Sequence, residues 1–194
     1  MVRKFAVMNV RILSYAAAML VSVIAQGQRN DFKFKPSVMG GYFAGARVSS
    51  NQEDYISGDA YSLMITRQWK PGMEMGLSFG IQRGAMEQFY PVSFQIRIAP
   101  NPEKSIGFLA GFGYSGAKGD YEQDNEQYQL QGGFYTEVGV RWHYDLSDAL
   151  RLKPQITLSR QTSRDEFDDG VQPSIEIKQD RYALHIGIAL ELQQ

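Results

Sequence analysis

The chain has 194 residues, 20 basic and 21 acidic side chains, a formal net charge of −1 and no cysteine. That length holds one domain, or one with a short appendage. The near-neutral charge excludes the basic excess of a nucleic-acid binder. The missing cysteines exclude a disulfide framework, a thiolate zinc site and a lipidated N-terminal cysteine. The 19 glycines, 11 Phe and 11 Tyr speak against a helical bundle and for sheet.

Residues 1–25 differ from the rest. Arg3, Lys4 and Arg11 lead into an apolar run from Ile12 to Ala25, interrupted only by Ser14 and Ser22, and the first acid is Asp31. Val23 and Ala25 suit cleavage before Gln26; Ala25 and Gly27 suit cleavage before Gln28. This is the pattern of a secretory signal peptide. The run of about 14 residues falls short of the roughly 20 that a spanning helix needs. The expectation is a signal peptide at 1–25 and one mature domain at 26–194, acidic once the three leader cations are gone. Export without cysteine points to a bacterial envelope protein that does not lean on disulfides.

The mature chain then alternates with period two, the mark of strands with one apolar face. The first segment, Phe34 to Ser49, carries Val38, Gly40, Tyr42, Ala44 and Ala46 on its apolar face. In the second, Tyr61, Leu63, Ile65 and Trp69 share a face with Arg67. The third sets Met73, Met75, Leu77, Phe79 and Ile81 against Glu74, Gly76, Ser78, Gly80 and Gln82. The fourth sets Tyr90, Val92, Phe94, Ile96 and Ile98 against Pro91, Ser93, Gln95, Arg97 and Ala99. The fifth sets Ile106, Phe108, Ala110, Phe112 and Tyr114 against Gly107, Leu109, Gly111 and Gly113. The sixth sets Phe134, Thr136, Val138, Val140, Trp142 and Tyr144 against Tyr135, Glu137, Gly139, Arg141 and His143. The seventh runs from Leu150 to Ser159. The eighth sets Tyr182, Leu184, Ile186, Ile188, Leu190 and Leu192 against Ala183, His185, Gly187, Ala189 and Glu191. Eight strands of about 10 to 14 residues exceed the usual five or six and suit tilted strands crossing a bilayer.

The connections at Lys70–Gly72, Pro100–Glu103 and Asp145–Asp148 are short and carry turn chemistry. Those at 50–58, 84–88, 116–130 and 162–180 are more variable and mostly longer. Short turns on one rim and long loops on the other is the layout of outer-membrane barrels. The apolar parity then faces lipid, and aromatics should gather at both interfaces. Trp69, Trp142 and Tyr144 map to the short-turn, periplasmic rim. Tyr61, Phe89, Tyr90, Tyr114, Phe134 and Tyr182 map near the loop rim.

On these features the mature chain, from about Phe34 to Leu192, resembles the small eight-stranded outer-membrane β-barrels of Gram-negative bacteria, the group of the OmpX-type and OmpA-type barrel domains. The Ala-Gln-Gly-Gln stretch at Ala25–Gln28 is similar to exported proteins of the Bacteroidota. Such barrels usually finish on an aromatic, whereas this sequence finishes Leu190-Glu191-Leu192-Gln193-Gln194. The resemblance implies an all-β, up-and-down antiparallel transmembrane barrel. It also implies an outer-membrane location, contact with lipid and lipopolysaccharide, and a monomer.

The inward parity carries Arg47, Glu74, Arg97, Glu137, Arg141, Arg151, Lys153, His185 and Glu191. An eight-stranded barrel is only wide enough for side chains to fill, so these charges are expected to pair as a packed interior network. His143 and His185 lie on different strands without carboxylates at ligand spacing, so no metal or cofactor is expected. A lipid-modifying enzyme would need a nucleophile, a base and an acid on the lipid-facing side. No Gly-x-Ser-x-Gly elbow occurs, and Ser115 and Ser159 lack an evident base in the sequence, so no catalysis is expected. Arg67 and Arg160 fall on the lipid-facing parity near strand ends, where Arg160 would meet lipopolysaccharide phosphates.

Asp120, Glu122, Asp124 and Glu126 make the loop at 116–130 acidic. Asp165, Glu166, Asp168, Asp169 and Glu176 do the same at 162–180. Their spacing matches no defined calcium loop. Adhesion or binding of an extracellular or envelope protein through these loops is the expected role, since loops on a rigid scaffold carry function. Two rival readings stand beside it. One is a soluble periplasmic barrel of lipocalin type, with the apolar parity inward around a small apolar ligand. The other is a lipid A-modifying outer-membrane enzyme.

Overall fold

The computed structural model describes residues 34–49, 53–85, 87–100, 105–118, 120–123, 126–167 and 175–193. The signal peptide and the Ala25–Gln28 junction lie outside the described residues. The strands are β1 (Phe34–Val48), β2 (Glu53–Lys70), β3 (Met73–Arg83), β4 (Gln88–Ile98), β5 (Ile106–Lys118), β6 (Asp120–Gln123), β7 (Glu126–Gln131), β8 (Gly133–Trp142), β9 (Tyr144–Ser147), β10 (Leu150–Phe167) and β11 (Ile175–Leu192).

Eight staves run antiparallel in the order β1, β2, β3, β4, β5, β8, β10, β11. β11 pairs back on β1 from Ser37↔Glu191 to Val48↔Asp180, which closes the barrel and removes both sheet edges. β9 prolongs the β8 stave after a break at His143, and its pairing with β10 slips at Leu150/Arg151. β6 and β7 form a hairpin beyond the barrel, with β7 laid on the end of β10.

The strands outrun the apolar alternation. β2 starts at Glu53, inside the expected loop at 50–58. β10 reaches Phe167 and β11 starts at Ile175, so most of the expected loop at 162–180 is a continued hairpin with paired backbone. The expected loop at 116–130 likewise holds the end of β5 and the β6–β7 hairpin. The reason is physical. An apolar outward face is needed only where the surroundings are apolar. Ladder hydrogen bonds continue beyond that zone with polar side chains such as Thr162 and Asp180.

Burial inverts the usual order. Buried inside are Ser37, Thr66, Ser78, Gln82, Ser93, Gln95, Arg97, Glu137, Lys153, Gln155, Thr157, Ser159, Arg181, His185 and Glu191. Outside are Leu77, Phe79, Val92, Phe108, Phe112, Val138, Leu158, Leu184, Ile186, Ile188 and Leu190. Leaving each such apolar side chain in water forgoes about 1.5–3 kcal/mol. A band of them around the whole wall belongs in hydrocarbon. This polarity overturns the lipocalin-type reading, which required the apolar parity inside.

Glycine lets the staves close. A Cβ on Gly41 or Gly45 of β1 would run into the backbone of β11 at Ile186 or Tyr182, at the seam between first and last stave. Gly72 holds φ +76° in the β2–β3 turn, a conformation that Gly adopts without strain.

Candidate functional site: the barrel interior and its two mouths

The periplasmic mouth is built by the short-turn ends of the staves. Glu74, on β3, sits among cations from four other staves. Lys35 Nζ lies 3.1 Å from its carboxylate, Arg141 Nη2 3.0 Å, Lys153 Nζ 3.9 Å and Arg97 Nη1 4.0 Å. Lys153 also pairs with Glu191, both side chains fully buried. Arg151 turns to Asp145 on β9. It therefore sits at the rim and does not join the interior network among the described contacts, despite its inward parity. The Arg151 hydrogen bond holds the Asp145 carboxyl below its ordinary range. A cavity of about 250 Å³ opens here, lined by Lys35, Glu74, Arg97, Arg141, His143, Arg151 and Lys153. His143 interrupts the strand at this mouth.

The middle layer is tighter. Glu137 Oε1 accepts from Gln95 Nε2 at 2.7 Å and Ser93 Oγ at 3.1 Å, and its Oε2 from the Tyr135 hydroxyl at 3.2 Å. Arg97 Nη2 donates to Gln95 Oε1 at 3.1 Å, which links this layer to the mouth. Its cavity is about 30 Å³, room for a water or two. Side chains thus fill the waist, as the stave number dictates.

Ser159 Oγ and His185 Nε2 lie 2.7 Å apart, so the structure supplies a base that the sequence did not reveal for Ser159. Register explains the pairing: Ser159 opposes Ala183, and His185 is the next inward position on β11. Both are buried inside the barrel, with the His185 ring against Phe43 at 5.7 Å. The pair faces inward, on the side of the wall opposite the exposed Leu158 and Leu184 where a lipid substrate would arrive.

The outer mouth joins the expected Arg47 to Asp54, Glu87 and Arg181, which the sequence did not single out. Arg47 bridges Asp54 at 2.8 Å and Glu87, and Arg181 Nε lies 3.7 Å from Glu87. The Arg181 guanidinium caps the Phe89 ring at 3.8 Å and lies 5.9 Å from the Phe43 ring. Phe89 keeps its place near the loop rim but is fully buried inside the barrel: on the parity of Pro91 and Ser93 it faces inward and not the membrane. Arg181 was legible, since it precedes the outward Tyr182 by one residue.

On the outer wall, Tyr61, Trp69, Tyr90, Tyr114, Tyr144 and Tyr182 are exposed and Trp142 is half-buried. Arg160 also faces out, bonded to Asp180 at 3.1–3.3 Å and 5.9 Å from the centre of the Tyr182 ring. Arg67 is exposed on β2. Asp124, Asp168 and Asp169 lie outside the described residues, as do the side chains of the other acids at 120–126 and 165–176. No group of three or more metal-ligating side chains occurs among the described residues.

No protein-family model matches the chain, and no curated protein matches it. Solved structures do. Neisserial surface protein A is similar at 8% identity, with a TM-score of 0.54 over 82% of this chain and 97% of that one. The outer membrane protein OprG from Pseudomonas aeruginosa is similar at 10% identity, TM-score 0.51, over 84% and 98%. The outer membrane protein AlkL, solved in lipid bilayers, is similar at 12% identity, TM-score 0.54, over 85% and 92%. At such identities the likeness is one of fold, and the fold of this chain is the closed, eight-stranded antiparallel barrel of small outer-membrane proteins.

Proposed function

We infer that the chain is a bacterial outer-membrane barrel whose role is structural or one of surface interaction, without catalysis. The observation that carries this is the inverted polarity: an apolar wall around a filled, charged interior. A filled waist makes the barrel a rigid support and not a conduit. Its lipid partners are the membrane itself and lipopolysaccharide, whose phosphates Arg160 meets at the outer rim. The segments at 116–130 and 162–180, into which β5, β10 and β11 extend, are the surface offered to an extracellular or envelope protein. Closure leaves no edge among the eight staves to recruit a second copy, which favours a monomer.

The test is electrophoretic mobility of the protein from carbonate-washed membranes, with and without boiling. A heat-dependent shift in the membrane fraction is expected. Recovery in the soluble periplasmic fraction would overturn the reading.

A further inference from the structure

At the periplasmic mouth, Lys35, Arg97 and Arg141 converge on one carboxylate, that of Glu74. The other two cations there have carboxylates of their own: Lys153 has Glu191 and Arg151 has Asp145. Counting these five cations and the three carboxylates they pair with, two positive charges are in surplus around Glu74; the next carboxylate inward, Glu137, is turned to Gln95, Ser93 and Tyr135. Solvent does little to screen the surplus, because Arg97 is 2% exposed and Arg141 9% exposed. Nε and Nη1 of Arg97 and Nη1 of Arg141 have no hydrogen-bond acceptor. A buried guanidinium N–H without an acceptor is costly. Both arginines line the 250 Å³ cavity together with Lys35 and Lys153. That space is far above the roughly 10–15 Å³ that one water occupies.

We propose that this mouth is an anion site for a dianionic tetrahedral oxyanion, either inorganic phosphate or a phosphomonoester group. Two surplus charges match a dianion, whereas a carboxylate would leave one uncancelled. Guanidinium forks suit phosphate oxygens, which accept from several directions at once. Glu74 gathers the three cations and also limits affinity, because its charge repels the anion. The site itself needs only the barrel; that it opens to the periplasm rests on the membrane reading above.

The test uses the full chain folded in an uncharged, phosphate-free detergent, its fold checked by the heat-dependent mobility shift. Inorganic phosphate and glycerol phosphate are titrated separately by calorimetry. Saturable binding of one equivalent is expected. Arg141→Gln should weaken it about tenfold or more. Glu74→Gln should tighten it, a sign that a purely structural ion network would not produce. Arg47→Gln, at the opposite mouth where Arg47 pairs with Asp54 and Glu87, should leave it unchanged. With the unaltered protein alone, phosphate should raise the unfolding temperature more than chloride at equal ionic strength.

Glycerol phosphate binding without inorganic phosphate binding keeps the site and assigns its source to a lipid headgroup. No saturable binding of either anion, or equal weakening by Arg47→Gln, overturns the proposal. Phosphate binding by a chain recovered as soluble protein would sink the membrane reading and leave the site standing.

Discussion

Glu191→Gln removes one charge from the fully buried Lys153–Glu191 pair. The Lys153 ammonium is then left with Glu74 at 3.9 Å, a carboxylate already held by Lys35 and Arg141 at 3.1 and 3.0 Å. Stripping one partner from a buried pair costs about 3–5 kcal/mol. Partial cover by Glu74 puts this case near the lower end, about 3 kcal/mol, or roughly 100-fold in the unfolding equilibrium. The loss falls at the seam, because Glu191 stands opposite Ser37 on β1 and Arg151 on β10. Replacing both partners, Lys153→Met with Glu191→Leu, removes the desolvation penalty together with the attraction. It should lie within about 1 kcal/mol of the parent. Equilibrium urea unfolding in lipid vesicles, followed by Trp69 and Trp142 emission and by gel mobility, measures all three proteins. A cost below about 1 kcal/mol for Glu191→Gln, or a double variant as damaged as the single one, would refute the reasoning.

Ile186→Arg puts a charge on the exposed apolar wall of β11; in vesicles it should cost about 2–4 kcal/mol, whereas a barrel in water would tolerate it, and vesicle unfolding separates the two. Gly45→Val should stop or slow barrel closure, because a side chain there meets the Tyr182 carbonyl on β11; folding yield by gel mobility reads it, and a normal yield would refute the close approach. Asp145 is held in its charged form by Arg151. Its folded pKa is depressed, so its contribution is present above its ordinary pKa and fades as the pH falls through the folded one. The pair is exposed at the rim, so Asp145→Asn should cost at most about 1 kcal/mol near neutral pH, and the difference from the parent should shrink in acid.

The alternation of β3, β4, β5, β8 and β11 was readable because each stave has one face in hydrocarbon and one in a polar interior. Leu184, Ile186, Ile188 and Leu190 against His185, Gly187 and Ala189 show the pattern in its plainest form. The upper halves of β2, β10 and β11 were hidden. Beyond the apolar zone neither face is steadily apolar, and such a strand reads as a loop. The inward face of Phe89 was missed because an aromatic next to Tyr90 looks like part of a membrane girdle, but adjacent residues of a strand point to opposite faces.

Sequence alone determined which faces are apolar, since period two depends only on the backbone of a strand and on side-chain polarity. It thereby set the fold class and the list of charges carried inward. Which inward charges meet was decided by tertiary structure. Barrel closure brings Lys35, Glu74, Arg97, Arg141 and Lys153 from five staves to one depth, and it sends Arg151 to the rim. Stave register places Ser159 beside His185, and the fold of the outer mouth sets Arg181 on Phe89. Those distances depend on shear and closure around the whole ring, and no local stretch of sequence encodes them.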